Sequence, residues 1–155
     1  MSYDYSENIL VQESSGNLLH DELGWNVIYA YNTETLGKNG TLGRESYKEI
    51  LLTRSFQSAL KRLNPWINQS QILEAQSTFE THLSTSSLLQ INEEKYKLIK
   101  DGIDVTVRKP DGQTEKRKVS LIDFKNVNNN EFLAVKELKI HSELYRRRTD
   151  IVGFV

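Results

Sequence analysis

The chain has 155 residues, 37% of them hydrophobic and 26% charged, with 2 prolines and 8 glycines, the make-up of a folded domain and not of a disordered or fibrous segment. Its 20 basic and 21 acidic residues nearly cancel, so no global field draws it to nucleic acid or an anionic membrane, and any basic footprint is local. The lack of cysteine excludes disulfides, thiolate metal sites and cysteine nucleophiles. The acidic start is no secretory signal and no apolar run nears the roughly 18 residues that span a bilayer, so the expectation is one cytoplasmic domain over 1–155.

Ile9, Leu10, Leu18, Leu19 and Leu23 recur at helical spacing behind a Ser6 cap and predict a helix from Glu7 to Leu23, with Gly16 as its weak point and Gly24 as its stop. Trp25 to Tyr31, rich in aromatic and β-branched residues, predicts a strand. Asn32 to Ser46 holds Gly37, Gly40 and Gly43 without periodicity and predicts a long, exposed, mobile loop. Those glycines are not a phosphate loop: Gly37 and Gly43 are wrongly spaced and are followed by Arg44 and Glu45, where lysine and a hydroxyl residue are needed.

Ile50, Leu51, Phe56, Leu60 and Leu63 predict a helix from Tyr47 to Leu63, ended by Asn64-Pro65 because the residue before proline avoids the α region. A second helix, about Gln71 to Leu83, starts at an Asn68 or Ser70 cap, and a third is capped by Asn92 and stopped by Gly102. After Gly102 the period becomes alternating. IDVTVRK, TEKRKVSLIDF, EFLAVKELKI and DIVGFV read as four consecutive strands, separated by a Pro110-Asp111-Gly112 turn and an asparagine-rich turn at 126–130. Helices followed by strands, with one early strand, predict an α+β domain with a mixed or antiparallel sheet. The last strand, apolar at Ile151, Val152, Phe154 and Val155, has the pattern of a central strand covered on both faces, and its end at the C-terminus suggests a fragment of a longer chain.

Asp150 heads that strand directly after Arg146, Arg147 and Arg148. A carboxylate there needs a partner, since desolvating it alone costs on the order of several kcal/mol. A salt bridge to a neighbouring arginine is the plain reading and a metal ligand the sharper one. Asp123, beside a tight turn, reads as a cap for backbone amides. His20, His82 and His141 lack metal-ligand spacing and read as surface or helix-face residues.

Four ordered segments carry a resemblance: Leu23-Gly24-Trp25; Ala59-Leu60 to Leu63-Asn64-Pro65; Leu121-Ile122-Asp123-Phe124 with Asn126, Asn129, Asn130 and Phe132; and Arg147-Arg148-Thr149-Asp150-Ile151-Val152 with Phe154-Val155. Together they resemble the N-terminal nuclease region of the R subunit (HsdR) of type I restriction enzymes, the last segment matching the family's Arg-Arg-Pro-Asp strand with Thr149 in place of proline. The resemblance implies a restriction-endonuclease-like PD-(D/E)xK core, a mixed sheet flanked by helices, in which one aspartate, a Glu-x-Lys pair on the next strand and Mg²⁺ hydrolyse DNA. Asp150 matches that aspartate and becomes the expected catalytic residue and metal ligand. Glu7, on the first helix, is the expected second acidic group at the metal.

The Glu-x-Lys strand expected about a dozen residues later does not occur here, so the chain by itself is expected to be inactive. Arg146, Arg147 and Arg148 are expected to touch DNA phosphates. The resemblance further implies cleavage of foreign double-stranded DNA after ATP-driven translocation by a downstream motor, with methylation and specificity subunits as partners. A noncatalytic nucleic-acid-binding or docking domain with a decayed nuclease site is the rival reading.

Overall fold

The computed structural model describes residues 7–81 and 86–155, with the backbone alone for 7–9. In chain order the elements are α1 (Glu7–Asp21), β1 (Asn26–Tyr29), α2 (Thr53–Leu63), α3 (Gln69–Glu80), α4 (Leu88–Asp101), β2 (Ile103–Arg108), β3 (Thr114–Val119), a 3-10 turn (Val127–Asn129), β4 (Leu133–Lys136), β5 (Lys139–His141), β6 (Arg146–Arg148) and β7 (Ile151–Phe154). This is an α+β chain with a mixed sheet, as its residue patterns predict. It divides into two compact units, Met1–Leu52 with Glu131–Val155, and Thr53–Asn130.

The first unit is built on a three-stranded sheet in the order β1-β4-β7, with β1 parallel and β7 antiparallel to β4. The register puts Ile28, Val135 and Val152 in one row, on a core face completed by Ala30, Leu42, Leu52 and Leu138. The opposite face carries Val27 and Lys136 against α1. Helix α1 packs closely on them at Gly16, where a Cβ would lie 3.6 Å from Val27 Cγ1, an ordinary contact, and 3.3 Å from Lys136 Cδ, on a flexible side chain. The glycine that looks like a weak point sits at this contact, and α1 runs through it unbroken. On β7 the Trp25 ring lies over Gly153, where a Cβ would meet Trp25 Cζ3 at 3.2 Å.

The second unit packs α2, α3 and α4 with the β2–β3 hairpin around Leu60, Ile72, Ala75, Ile103, Val105 and Val119, all fully buried. Asn68 caps α3 in a capping box with Gln71, and Ser87 caps α4 in the same way with Gln90. Asn64 closes the end of α2. Its side-chain amide donates to the carbonyls of Leu60 at 3.0 Å and Ser120 at 2.9 Å, and its oxygen accepts from the Ser120 N–H at 2.9 Å. It is 3% exposed, so these groups have little water to turn to. Asn64→Ala is therefore expected to cost about 1–3 kcal/mol, the range for leaving buried polar groups unpaired. A urea midpoint within error of wild type at unchanged m-value would show that the bridge carries no stability.

Several expectations are corrected. Helix α2 begins at Thr53 and not at Tyr47: the Tyr47 carbonyl accepts from the His141 N–H, and Leu52 is buried in the first unit's core, so tertiary anchoring overrides local periodicity. The third helix is capped by Ser87 and not by Asn92, which lies inside it. The segment EFLAVKELKI is not one strand but two, β4 and β5, divided at Glu137, whose φ of 54° breaks the extended run. TEKRKVSLIDF is a strand only as far as Val119. Among the described residues the final strand is at the edge of its sheet, paired with β4, and it is half-buried instead of covered on both faces.

The loop after β1 is not exposed throughout. Leu42 and Arg44 within it are 2% and 1% exposed, and Arg44 ties it down. The Arg44 guanidinium makes a two-pronged ion pair with Glu34, at 2.6 and 2.7 Å, and donates to the carbonyls of Glu49 and Lys139.

Candidate metal and nucleic-acid site

The residues that could carry chemistry gather where β4 passes into β5 and β6 into β7. The Glu137 N–H donates to the Asp150 carbonyl at 2.9 Å, and the Thr149 N–H to the Leu138 carbonyl at 3.0 Å, so the two turns are pinned side by side. Asp150 occupies the bend before β7 and is exposed. Its Oδ1 accepts a 3.2 Å hydrogen bond from Gln12 Nε2 on α1. Gln12 lies one turn before Gly16, on the helix face that packs against Val27 and Lys136.

The expected arginine partner of Asp150 is not found among the described residues. Arg148 turns to Glu137 instead, with Nη1 3.9 Å from Oε2, and the Arg148 guanidinium sits 4.6 Å from the centre of the Tyr31 ring. The carboxylate of Asp150 is therefore an accessible oxygen donor held by an amide.

The three arginines form β6, all exposed, opposite Lys139, Ile140 and His141 of β5. Arg147 lies 5.5 Å from the Tyr145 ring, and Arg146 has no carboxylate partner among the described residues. Arg148 faces Lys139 directly, and two cations in one cross-strand pair repel. The Tyr31 ring lies near both, 5.2 Å from Lys139 Nζ. The hairpin thus displays cations interleaved with aromatic rings, a surface suited to phosphate.

A Glu-x-Lys triplet does occur across from Asp150, as Glu137-Leu138-Lys139, but chain order hides it, because it precedes the aspartate instead of following it. Its lysine is turned away to the rings of Tyr31 and Tyr47 and to Asn32 Oδ1 at 3.5 Å. Glu137 has a side chain 11% exposed, and its Oε2 is buried without a hydrogen-bond partner among the described residues. It holds the Tyr29 phenol above its ordinary pKa, chiefly as hydrogen-bond acceptor and further through burial of the phenol and charge repulsion.

As a magnesium site the arrangement is a half-set. Magnesium accepts one or two carboxylates with waters completing the octahedron, and Asp150 supplies one hard, accessible oxygen donor. No group of three or more histidine or acidic side chains converges among the described residues. Glu7 begins α1, and its side chain lies outside the described residues, as does His82. His20 Nδ1 lies 3.1 Å from the Trp25 carbonyl oxygen, and His141 packs its ring on Tyr47, so neither is placed at Asp150.

Asp123 has the capping role its position predicts. It accepts from the N–H groups of Asn126 and Lys125 and from the Asn129 amide, and these bonds, the Asn126 N–H first, lower its pKa. The stability this adds is present above the unfolded-state pKa of an aspartate and is lost as pH falls through the lower folded value.

Comparison with known proteins bears on what this arrangement serves. The family model for the type I restriction enzyme R protein N terminus matches residues 4–155. The MjaIXP type I restriction endonuclease subunit of Methanocaldococcus jannaschii is 32% identical over 117 residues, covering 72% of this chain and 11% of that protein. The HindI type I restriction endonuclease subunit of Haemophilus influenzae is 30% identical over 134 residues, covering 86% of this chain and 12% of that protein. The chain thus spans about an eighth or less of the length of these relatives. No solved structure matches it.

Proposed function

Because the chain belongs to the family of type I restriction enzyme R protein N termini, we propose that it is the nuclease-bearing part of such a subunit, with Asp150 as a magnesium ligand and the arginines of β6 as contacts to the DNA backbone. The observation that carries this reading is Asp150 itself: an exposed carboxylate fixed by an amide and not neutralised by the three arginines just before it. A structural salt bridge would have consumed it.

In this reading the chain holds Asp150 in place through Gln12 and through the main-chain bond from Glu137. When bound, magnesium would supply Lewis-acid polarisation of the scissile phosphate and activation of water. The arginines offer guanidinium donors to phosphate oxygens and set where the duplex lies. Foreign double-stranded DNA as substrate, ATP-driven translocation by a motor elsewhere in the full-length protein, and methylation and specificity subunits as partners belong to the same proposal. So does a cytoplasmic setting; no helix among the described residues is long and apolar enough to cross a membrane.

The test concerns the strand that presents the arginines. Replacing Arg146, Arg147 and Arg148 together with alanine is expected to weaken duplex binding and to flatten the plot of log affinity against log salt, by about 0.9 for each phosphate that is no longer neutralised. An unchanged slope, measured by anisotropy with a labelled duplex, would assign the arginines to structure alone.

A further inference from the structure

Glu137 combines two unfavourable features in one residue. Its backbone is in the left-handed region, at φ 54°, which disfavours any residue with a Cβ, and its carboxylate is almost covered, with one oxygen lacking a hydrogen bond among the described residues. A position needing only the main-chain turn would suit glycine or asparagine, without a buried charge. The carboxylate faces the Tyr29 phenol and, at 3.9 Å, Arg148 Nη1, the one cation of its strand so placed, since the other two arginines have no carboxylate partner among the described residues. Arg148 is also the arginine laid on the Tyr31 ring, opposite Lys139. One of three adjacent cations is thus selectively held.

We infer that Glu137 is a positioning residue that acts as the counter-charge of Arg148, holding it back from phosphate so that Arg146 and Arg147 make the primary backbone contacts. The inference rests on the reading of β6 as a DNA contact, and it adds the ordering among the arginines. A guanidinium already facing a carboxylate neutralises less phosphate charge, so it releases less than one counterion's share of the salt dependence. Removing the carboxylate frees it.

The experiment is a double-mutant cycle on duplex binding by this chain, with a labelled duplex titrated from about 50 to about 200 mM salt. Glu137→Gln is expected to steepen the slope of log affinity against log salt by up to about 0.9, so that affinity falls about 3.5-fold further than wild type across that range. In an Arg148→Ala background the same substitution is expected to change nothing. Glu137→Gly, which suits the left-handed backbone, should repeat the steepening and serves where the glutamine variant melts below the assay temperature.

A purely structural Glu137 would move the melting temperature and leave the slope alone, which overturns the inference. So does an equal steepening with and without Arg148, since that is a general charge effect. Failure of every variant and of wild type to bind duplex overturns the reading of β6 as well, which separates the two failures.

Discussion

Asp150→Ala in a full-length R subunit carrying this region is expected to lower DNA cleavage by at least about 10²–10³-fold, the cost of removing a principal electrostatic group from such a site, while DNA-stimulated ATP hydrolysis and translocation stay near wild type. The structure supplies the reason that folding should survive. The side chain is exposed and its bond among the described residues is one 3.2 Å contact from the Gln12 amide. The bond that pins the turn runs from the Glu137 N–H to the Asp150 carbonyl, and alanine keeps it. Arg148, which a salt bridge would have left uncompensated, faces Glu137 and is not orphaned. A surface change of this kind is worth about 0.5 kcal/mol or less. Thermal stability, ATPase and cleavage should be measured side by side on one preparation. Loss of ATPase or of folding together with cleavage would make Asp150 structural, and retained cleavage would remove it from the mechanism.

The features legible in the sequence are those with local causes. Asn68 caps a helix because its side chain reaches a backbone amide three residues on, and Pro110-Asp111-Gly112 turns a hairpin because those residues fit the turn; both are settled within a few positions. Asp123 beside its turn is legible for the same reason. The misread segments depend on partners far away in the chain. Tyr47 to Leu52 shows helical spacing, yet the segment is held in a turn and irregular backbone by the His141 N–H and by the first unit's core. The break at Glu137 has no glycine, proline or asparagine to announce it. The partner of Asp150 is Gln12, 138 positions earlier, so no reading of the arginines next to the aspartate could find it. The exposure of the arginines, by contrast, follows from three long cations on one short strand, which cannot all be buried.

The second large effect is expected at Arg44, in the glycine-rich loop that its composition predicts to be mobile. Glycines and polar residues permit the loop to fold back, and the ion pair decides where it goes. The guanidinium fork matches the Glu34 carboxylate with two short bonds, and its remaining donors satisfy the carbonyls of Glu49 and Lys139. Both side chains are buried, at 1% and 2% exposure, so truncating one leaves the other's charge uncompensated in a low dielectric. Arg44→Ala and Glu34→Ala are each expected to cost about 3–5 kcal/mol. Arg44→Lys should recover only part of this, because an ammonium cannot reproduce the planar two-pronged pairing. The double alanine variant should cost well under the sum of the singles, since it removes both charges. The Lys139 carbonyl that Arg44 holds belongs to β5, which pairs with the arginine strand, so duplex binding should fall with stability in both single variants. Urea unfolding of wild type, the two singles and the double reads the cycle directly. Single-variant losses under about 1 kcal/mol would place the pair among surface ion pairs of little worth, and strictly additive losses would show that Arg44 and Glu34 act on the fold through separate partners.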